Sequence, residues 1–400
     1  MGSALSFHLG RLAVLLLQPL RRMRTESLKS GAMLVSDNLE TRAHCGQNTP
    51  AEPKFAAQRL ICECFYTDNY HIKEVNRHVS YVDRRSFENS EEGRKILTPL
   101  GTARRETIIA ALEQESRRRH NLLAEALDRS KHIRAHYKPL HPEVYELRAE
   151  WIHPELEAIR ATLFSEGGSS SQASKAAEVR ALRNRLREYP PGVFSFPVFT
   201  RDFCQRFVAE ARHFNESDMP KARPNSMNKE GVLLEECGYY EGLLDPLLDK
   251  YLKPIAAQLY PDYGGATLDH HRSFTVKYHE DGDVELAYHY DDSEVTLNVC
   301  LGEQFEGGEL LFGSMRDCAS QTSRYPLRHD VGTGVLHRGH HMHEAVAVDS
   351  GVRLNLIMWL RSSTERNFIQ PEHGRQRPVK IPPTRGSKAA WCCHFNEQMK

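Results

Sequence analysis

From Val193 onward, turns cut the chain into short runs whose apolar and polar residues alternate. A period of two confines such runs to extended strands with two unlike faces. The clearest run is 295–301, where Val295, Leu297, Val299 and Leu301 fall on one face and Thr296, Asn298 and Cys300 on the other. Segments 273–279, 309–312, 331–337 and 352–360 read as further strands, and Gly307-Gly308 marks a tight turn. The stretches 203–214 and 243–260 have helical character. Many short antiparallel strands with frequent turns fit a double-stranded β-helix, a jelly-roll variant. The expected fold class is therefore α+β: a jelly-roll core with flanking helices, preceded by a mainly helical N-terminal region.

Upstream the period changes. Residues 58–70 read as a short buried strand or loop rich in apolar and aromatic side chains. Between 104 and 137, Ile108, Ile109, Leu112, Leu122, Leu123, Leu127 and Ile133 recur at helical spacing among charged residues. Pro139 and Pro142 end that helix, and a second is expected over 142–164. The run Arg117-Arg118-Arg119-His120 reads as a solvated helix face, because acids are interspersed with it. Residues 166–175 have the composition of a flexible linker. A short helix over 176–187 follows, and then Tyr189-Pro190-Pro191-Gly192 punctuates the chain. The expected organisation is a disordered extension at 1–57, a mainly helical region at 58–165, a linker at 166–192, a β domain at 193–368 with its core at 269–363, and a mobile tail at 369–400.

Composition bounds the class. The chain is 40% hydrophobic and 26% charged, as soluble globular proteins are. Lys and Arg together equal Asp and Glu at 53 each, so there is no general attraction to nucleic acid or an anionic membrane. The nine cysteines, Cys45, Cys62, Cys64, Cys204, Cys237, Cys300, Cys318, Cys392 and Cys393, make no paired C-x-x-C motif. They read as free thiols of an intracellular reducing compartment. Residues 1–25 hold no acid but carry Arg11, Arg21, Arg22 and Arg24 around the apolar run from Leu12 to Leu17. That run is too short to span a bilayer. Its Arg-rich character matches a mitochondrial transit peptide, and Gly2 with Ser6 satisfies the loose myristoylation pattern.

The chemistry concentrates in Tyr288-His289-Tyr290-Asp291 and a distant histidine block. On an extended segment His289 and Asp291 point the same way, so an imidazole and a carboxylate converge. A second imidazole from another strand completes a 2-His-1-carboxylate set, which holds iron(II) with three positions left open. A lone H-x-D says little in a chain with 21 histidines. The block His337-Arg338-Gly339-His340-His341-Met342-His343-Glu344 offers His337, His340, His341 and His343, and alternation does not separate His341 from His343. Arg353 opens the last core strand, sharing a face with Asn355, Ile357 and Trp359. A guanidinium in a mostly apolar barrel needs an anionic partner, and a dicarboxylate co-substrate provides one.

The segments VKYHEDG, HYDDSEVTLNVCL, FEGGEL, GTGVLHRG and HEAVAVDSGVRLNLIMWL resemble the catalytic domain of the prolyl 4-hydroxylase and procollagen-lysine hydroxylase superfamily. ICECFYTDN, HPEVYE, SDMPKARPNSMNKEGVLL and HRSFTVKY extend the likeness over roughly residues 59–368, to an orphan family of 2-oxoglutarate and iron-dependent oxygenases. In the superfamily the distal ligand precedes the arginine by ten residues. The resemblance therefore selects His343, giving metal ligands His289, Asp291 and His343, with Arg353 binding 2-oxoglutarate. It also implies Tyr278 as a helper at the co-substrate and L-ascorbate as the reductant. The implied reaction couples oxidative decarboxylation of 2-oxoglutarate by O2 to hydroxylation of a C–H bond.

Two other classes fit less of the sequence. A metal-binding scaffold without turnover has no need for an intact ligand set. A cupin-like oxidase that works without 2-oxoglutarate has no use for Arg353. The substrate is left open: a protein side chain, a nucleic acid and a small molecule all fit the chemistry, the balanced charge disfavours nucleic acid, and no clear membrane signal is present. Segment 217–234 carries Arg223, Asn225, Asn228 and Lys229 and reads as a substrate-side loop, the alternative being a solvated connection.

Overall fold

The computed structural model of the chain describes residues 69–75, 77–164, 172–225, 227–316, 323–362, 365, 368–369 and 377–378. The expected extension at 1–57, nearly all of the apolar segment at 58–70, residues 166–171 of the linker, most of the tail, and Cys45, Cys62, Cys64, Cys318, Cys392 and Cys393 lie outside the described residues. Cys204, Cys237 and Cys300 are buried free thiols. Among the described residues no helix is long and apolar enough to cross a membrane.

The described chain opens with a hairpin of β1 (Asn69–Ile72) and β2 (Arg77–Ser80), followed by α1 (Arg84–Asn89) and α2 (Glu91–Leu97). Asp83 and Ser90 cap these helices by accepting from the backbone N–H groups of Ser86 and Gly93. Tyr70, Ile72, Val79, Phe87 and Ile96 form a small core with Ile108, Ile109 and Leu112 from α3 (Thr102–His136). At 35 residues, α3 is about 52 Å long. Its far end belongs to a different core, where Ile133 is buried, and there Arg129 meets Glu236 through two hydrogen bonds of 2.9 and 3.0 Å.

The second expected helix is broken. Residues 142–152 hold two 3-10 turns, Pro142–Tyr145 and Ala149–Trp151, and only α4 (Pro154–Leu163) is α-helical. Pro154 pushes His153 toward extended backbone. The chain there joins the β domain instead, with Ile152 bridging Phe199 and the His153 N–H donating to Val198. The segment read as a linker carries α5 (Gln172–Arg185), whose Leu182 is fully buried in the same core. Next come β3 (Arg187–Glu188), β4 (Val193–Pro197), α6 (Arg201–Glu216) and α7 (Leu234–Cys237). Glu210 on α6 accepts from the Tyr137 and Tyr145 hydroxyls and the His141 N–H, which ties the preceding loop down. The helix expected over 243–260 spans Tyr240 to Leu259 but is uneven. Wide π turns at Tyr240–Leu244 and Leu248–Leu252 precede Asp245-Pro246 and Lys253-Pro254. Each proline removes a donor from the α-helical ladder, and the backbone widens around the gap.

The short pair Phe368–Ile369 and Arg377–Pro378 aside, the remaining strands are β5 (His270–His279), β6 (Leu286–His289), β7 (Val295–Gly302), β8 (Phe305–Gly307), β9 (Leu310–Met315), β10 (Tyr325–Leu327), β11 (Thr333–Arg338), β12 (His341–Ala345) and β13 (Val348–Arg361). They form two antiparallel sheets. The larger has the order β3-β4-β11-β7-β13-β5, with β8 beside β13, and the smaller has the order β10-β9-β12-β6. This is a jelly-roll core in an α+β chain. Leu297, Val299, Leu354, Leu356, Met358 and Leu360 bury the outer face of the larger sheet against Phe203, Phe207, Leu247, Tyr251 and Ile255 of the helices. The opposite faces of β5, β7 and β13 look toward the smaller sheet across a cleft.

Leu356 is fully buried between sheet and helices, whereas Leu140 is 52% exposed. Leu356→Ala should destabilise the fold by about 2–5 kcal/mol in denaturant unfolding. Leu140→Ala should shift it by less than about 0.5 kcal/mol. Equal small effects would mean that the sheet and helices are not one packed core.

Candidate active site

Strand register assembles the site. β12 pairs antiparallel with β6, and His343 lies directly opposite His289. Their rings are 4.2 Å apart between centroids. Asp291, two residues past His289, returns its side chain to the same face. Its backbone N–H donates to Gly339 over 2.8 Å. The His289 Nε2 lies 3.7 Å from Asp291 Oδ1, and the His343 Nε2 lies 3.8 Å from Asp291 Oδ2. The ligand atoms of the three residues all fall within 4.8 Å of one another, and all three side chains are buried. Tyr288 and Tyr290 alternate to the other face, under Arg324 at 3.7 Å and Arg316 at 4.2 Å.

Hydrogen bonds fix the tautomers of the two rings. His289 Nδ1 donates to the Ala287 carbonyl at 2.6 Å, and His343 Nδ1 donates to the His341 carbonyl at 2.9 Å. Both Nε2 atoms therefore present lone pairs to the centre, the form a metal ligand needs. Thr296 Oγ1 donates to Asp291 Oδ2 at 2.7 Å and is itself met by Ser293 Oγ at 2.7 Å. Burial holds His289 well below the ordinary histidine range, with His343 adding to the effect. Burial raises the Asp291 carboxyl, opposed by His343, by the Thr296 hydrogen bond and by the Trp359 indole beside it. Two imidazole nitrogens and a carboxylate thus converge on one buried point, a donor set that a divalent cation completes.

The structure separates the four histidines of the block. His343 joins the trio. His341 Nε2 bonds the Gly313 carbonyl at 2.9 Å and is turned from the centre, because the β12–β9 register shifts between His341 and His343. Burial lowers it to about 4. His340 packs edge-on against Tyr290 and Tyr263. His337 is fully buried on β11, with Nδ1 on the Arg338 carbonyl at 2.8 Å and Nε2 3.9 Å from Asp291 Oδ2. Nothing in the block's spacing distinguishes His337 as a neighbour of the trio.

Arg353 is fully buried at the inner end of the cleft. Its Nη1 donates to the Gly308 carbonyl at 2.6 Å, while Nε and Nη2 have no partner. Among the described residues no carboxylate forms an ion pair with it. Gly308, at φ +67°, turns that carbonyl inward, and a side chain there would crowd Val348 and Arg353. Tyr278 faces Arg353 across the β13–β5 pair, with its ring 5.6 Å from the guanidinium carbon. Asn355, Ile357 and Trp359 share the Arg353 face, as alternation requires, and Asn355 donates to Asn298 at 2.6 Å. Empty space in the cleft, its open mouth included, amounts to about 550 Å³. Asn225, Met227 and Asn228 of the polar loop form part of its wall, so this loop borders the site.

Residues 133–265 match the OGFOD2-like domain family. A mouse procollagen-lysine,2-oxoglutarate 5-dioxygenase 1 is 30% identical over 187 residues, 44% of this chain and 24% of that one. A prolyl-4-hydroxylase structure from Pseudomonas putida covers 47% of this chain and 94% of its own, at 18% identity and a TM-score of 0.31. The 2-oxoglutarate and iron-dependent oxygenase domain-containing protein 2 of Danio rerio is 40% identical over 326 residues, which is 80% of this chain and 91% of that one. At 40% identity over four fifths of its length, this chain belongs to the 2-oxoglutarate and iron-dependent oxygenase domain-containing protein 2 family.

Proposed function

We propose that this chain is an iron(II)- and 2-oxoglutarate-dependent dioxygenase that hydroxylates a C–H bond, with iron on His289, Asp291 and His343 and the co-substrate on Arg353. One observation carries the reading. Three convergent ligand atoms border the same cleft as a buried guanidinium whose remaining N–H groups have no partner. The donor set suits the metal: two imidazole nitrogens and one carboxylate on a single side leave open positions for other ligands. When bound, iron(II) with 2-oxoglutarate supplies the activation of O2, coupling decarboxylation of the co-substrate to succinate and CO2 with oxygen insertion into the substrate.

The chain's own residues do the positioning. Arg353 offers a planar fork to the distal carboxylate of 2-oxoglutarate, and neighbouring Tyr278 adds a hydroxyl. Thr296 keeps Asp291 Oδ2 engaged, which fixes the orientation of the carboxylate. Phe274, Leu286, Leu310, Ala345 and Ile357 line the cleft with apolar surface and exclude water from the reacting atoms. A protein side chain is the substrate class we favour, supported by the similarity to a procollagen-lysine dioxygenase. L-ascorbate belongs to the same reading as reductant, and an intracellular reducing compartment suits the buried free thiols.

Metal analysis tests the ligand set. The purified protein should hold one iron, and His289→Ala and His343→Ala should lose it, because the remaining donors are too few to compete with water. His341→Ala should retain it. Full iron occupancy in either ligand variant would remove that residue from the set.

The co-substrate anchor is tested by anaerobic titration of the iron(II) protein with 2-oxoglutarate, following the charge-transfer absorption. Arg353→Lys should weaken binding roughly ten- to a hundredfold while keeping iron, because lysine retains the charge but loses the two parallel hydrogen bonds. Arg353→Ala should be weaker still. Unchanged affinity in Arg353→Ala would make the arginine structural only.

A further inference from the structure

We propose that Asn225 and Asn228 form a polar relay that orients the Tyr278 hydroxyl, so that the substrate-side loop is a positioning element for the co-substrate. The inference rests on Arg353 and Tyr278 meeting the distal carboxylate of 2-oxoglutarate. Both asparagines border the active-site cleft and are buried, Asn225 at 7% exposure and Asn228 at 1%.

The direction of every bond in the relay follows from one end. Asn225 Oδ1 lies 2.8 Å from the Met227 backbone nitrogen and 2.7 Å from that of Asn228. Backbone nitrogens donate, so this atom is the amide oxygen. The other amide atom, Nδ2, then donates to Asn228 Oδ1 at 2.9 Å. That leaves Asn228 with its own Nδ2 toward Tyr278, 3.3 Å from the hydroxyl oxygen. A phenol that accepts here keeps its proton for another partner. Among the described residues this hydroxyl donates to no acceptor, although Tyr278 is only 4% exposed.

Among the described residues, three donors therefore lack acceptors at one end of the cleft: Arg353 Nε, Arg353 Nη2 and the Tyr278 O–H. Buried donors are costly to leave unmade, and an oxygen-rich anion satisfies all three. With the relay reversed, Tyr278 would donate to Asn228 and withdraw its proton from the cleft.

The loop is held as a fixed wall. Arg272 Nη2 donates to the Pro224 carbonyl at 3.0 Å, and Arg223 Nε to that of Asn228 at 3.3 Å. The Lys229 N–H donates to Asp283 Oδ2 at 2.6 Å, and the Val232 N–H to Thr275 Oγ1 at 2.9 Å. Gly231, at φ +155°, lies so close to β5 that any side chain would strike the Thr275 carbonyl. Loop and strand thus form one frame, and a substrate resting on the loop presses on the same amides that aim the tyrosine.

Asn225→Asp is the diagnostic change. It preserves size and the oxygen that caps the two backbone N–H groups, but it cannot donate to Asn228. The Asn228 amide then turns over, presents its oxygen to Tyr278, and draws the phenolic proton away. In anaerobic titration of the iron(II) protein, Asn225→Asp and Tyr278→Phe should each weaken 2-oxoglutarate binding roughly two- to tenfold, the worth of one hydrogen bond. Iron content should be unchanged. The Asn225→Asp/Tyr278→Phe double variant should be no weaker than Tyr278→Phe alone, because the relay acts only through the hydroxyl. Wild-type affinity in Asn225→Asp overturns the proposal, as does a full further loss in the double variant. If Asn225→Asp does not fold, Asn228→Leu in the same two backgrounds answers the question without adding charge. Failure of the unaltered protein to bind 2-oxoglutarate would instead fail the reading on which the relay rests.

Discussion

A buried positive charge sets the terms for this molecule. Arg353 sits at zero exposure on the strand that pairs with both β5 and β7, bonded through one nitrogen to a single carbonyl. An uncompensated charge in such a place costs several kcal/mol, and burial already works against its protonated form. Replacing it by an apolar residue would make a simpler core. The fold carries it with its fork toward the cleft, and the outer face of the same strand supplies the apolar contacts that offset the cost. Leu354, Leu356, Met358 and Leu360 alternate with Arg353, Asn355, Ile357 and Trp359, so one strand serves stability on one side and binding on the other.

The candidate metal trio is organised by strand register as well. His289 and His343 need no loop to bring them together, since they are cross-strand partners. Both rings are locked by backbone carbonyls two residues before them, a repeated local geometry that an extended strand provides at both positions. Asp291 is held from outside by Thr296, on β7 of the opposite sheet. The centre therefore bridges the two sheets, and a cation there would neutralise the carboxylate and pin the sheets at one point. Stability and site occupancy are linked in such an arrangement.

Much of this was legible in the residues. Alternation alone separated the core face of β7 and β13 from the cleft face, and H-x-D on an extended segment placed two candidate ligands side by side. What local pattern could not supply was tertiary. His341 and His343 have the same parity along β12, and only the register shift against β9 turns one away. The apolar spacing over 142–164 continued through residues that pair with β-domain backbone, so the helix was overestimated. The helix over 240–259 survived two prolines by widening, which propensity does not anticipate. Thr296 and His337 are ordinary strand residues and Ser293 lies in the bend before β7, and their relation to Asp291 arises from tertiary packing. The loop bearing Asn225 and Asn228 was marked by polar density, but the direction of its hydrogen bonds belongs to three-dimensional geometry.

The central claim is that the buried guanidinium awaits the second carboxylate of a dicarboxylate held at the metal. Calorimetric binding of 2-oxoglutarate and 2-oxobutyrate to the iron(II) protein, without oxygen, separates the two ends of the ligand. Both compounds carry the same 2-oxo acid group for the metal, and only 2-oxoglutarate carries a carboxylate for Arg353. The account predicts that 2-oxoglutarate binds at least roughly tenfold more tightly, the value of one charge-assisted contact. Equal affinities for the two acids would contradict it.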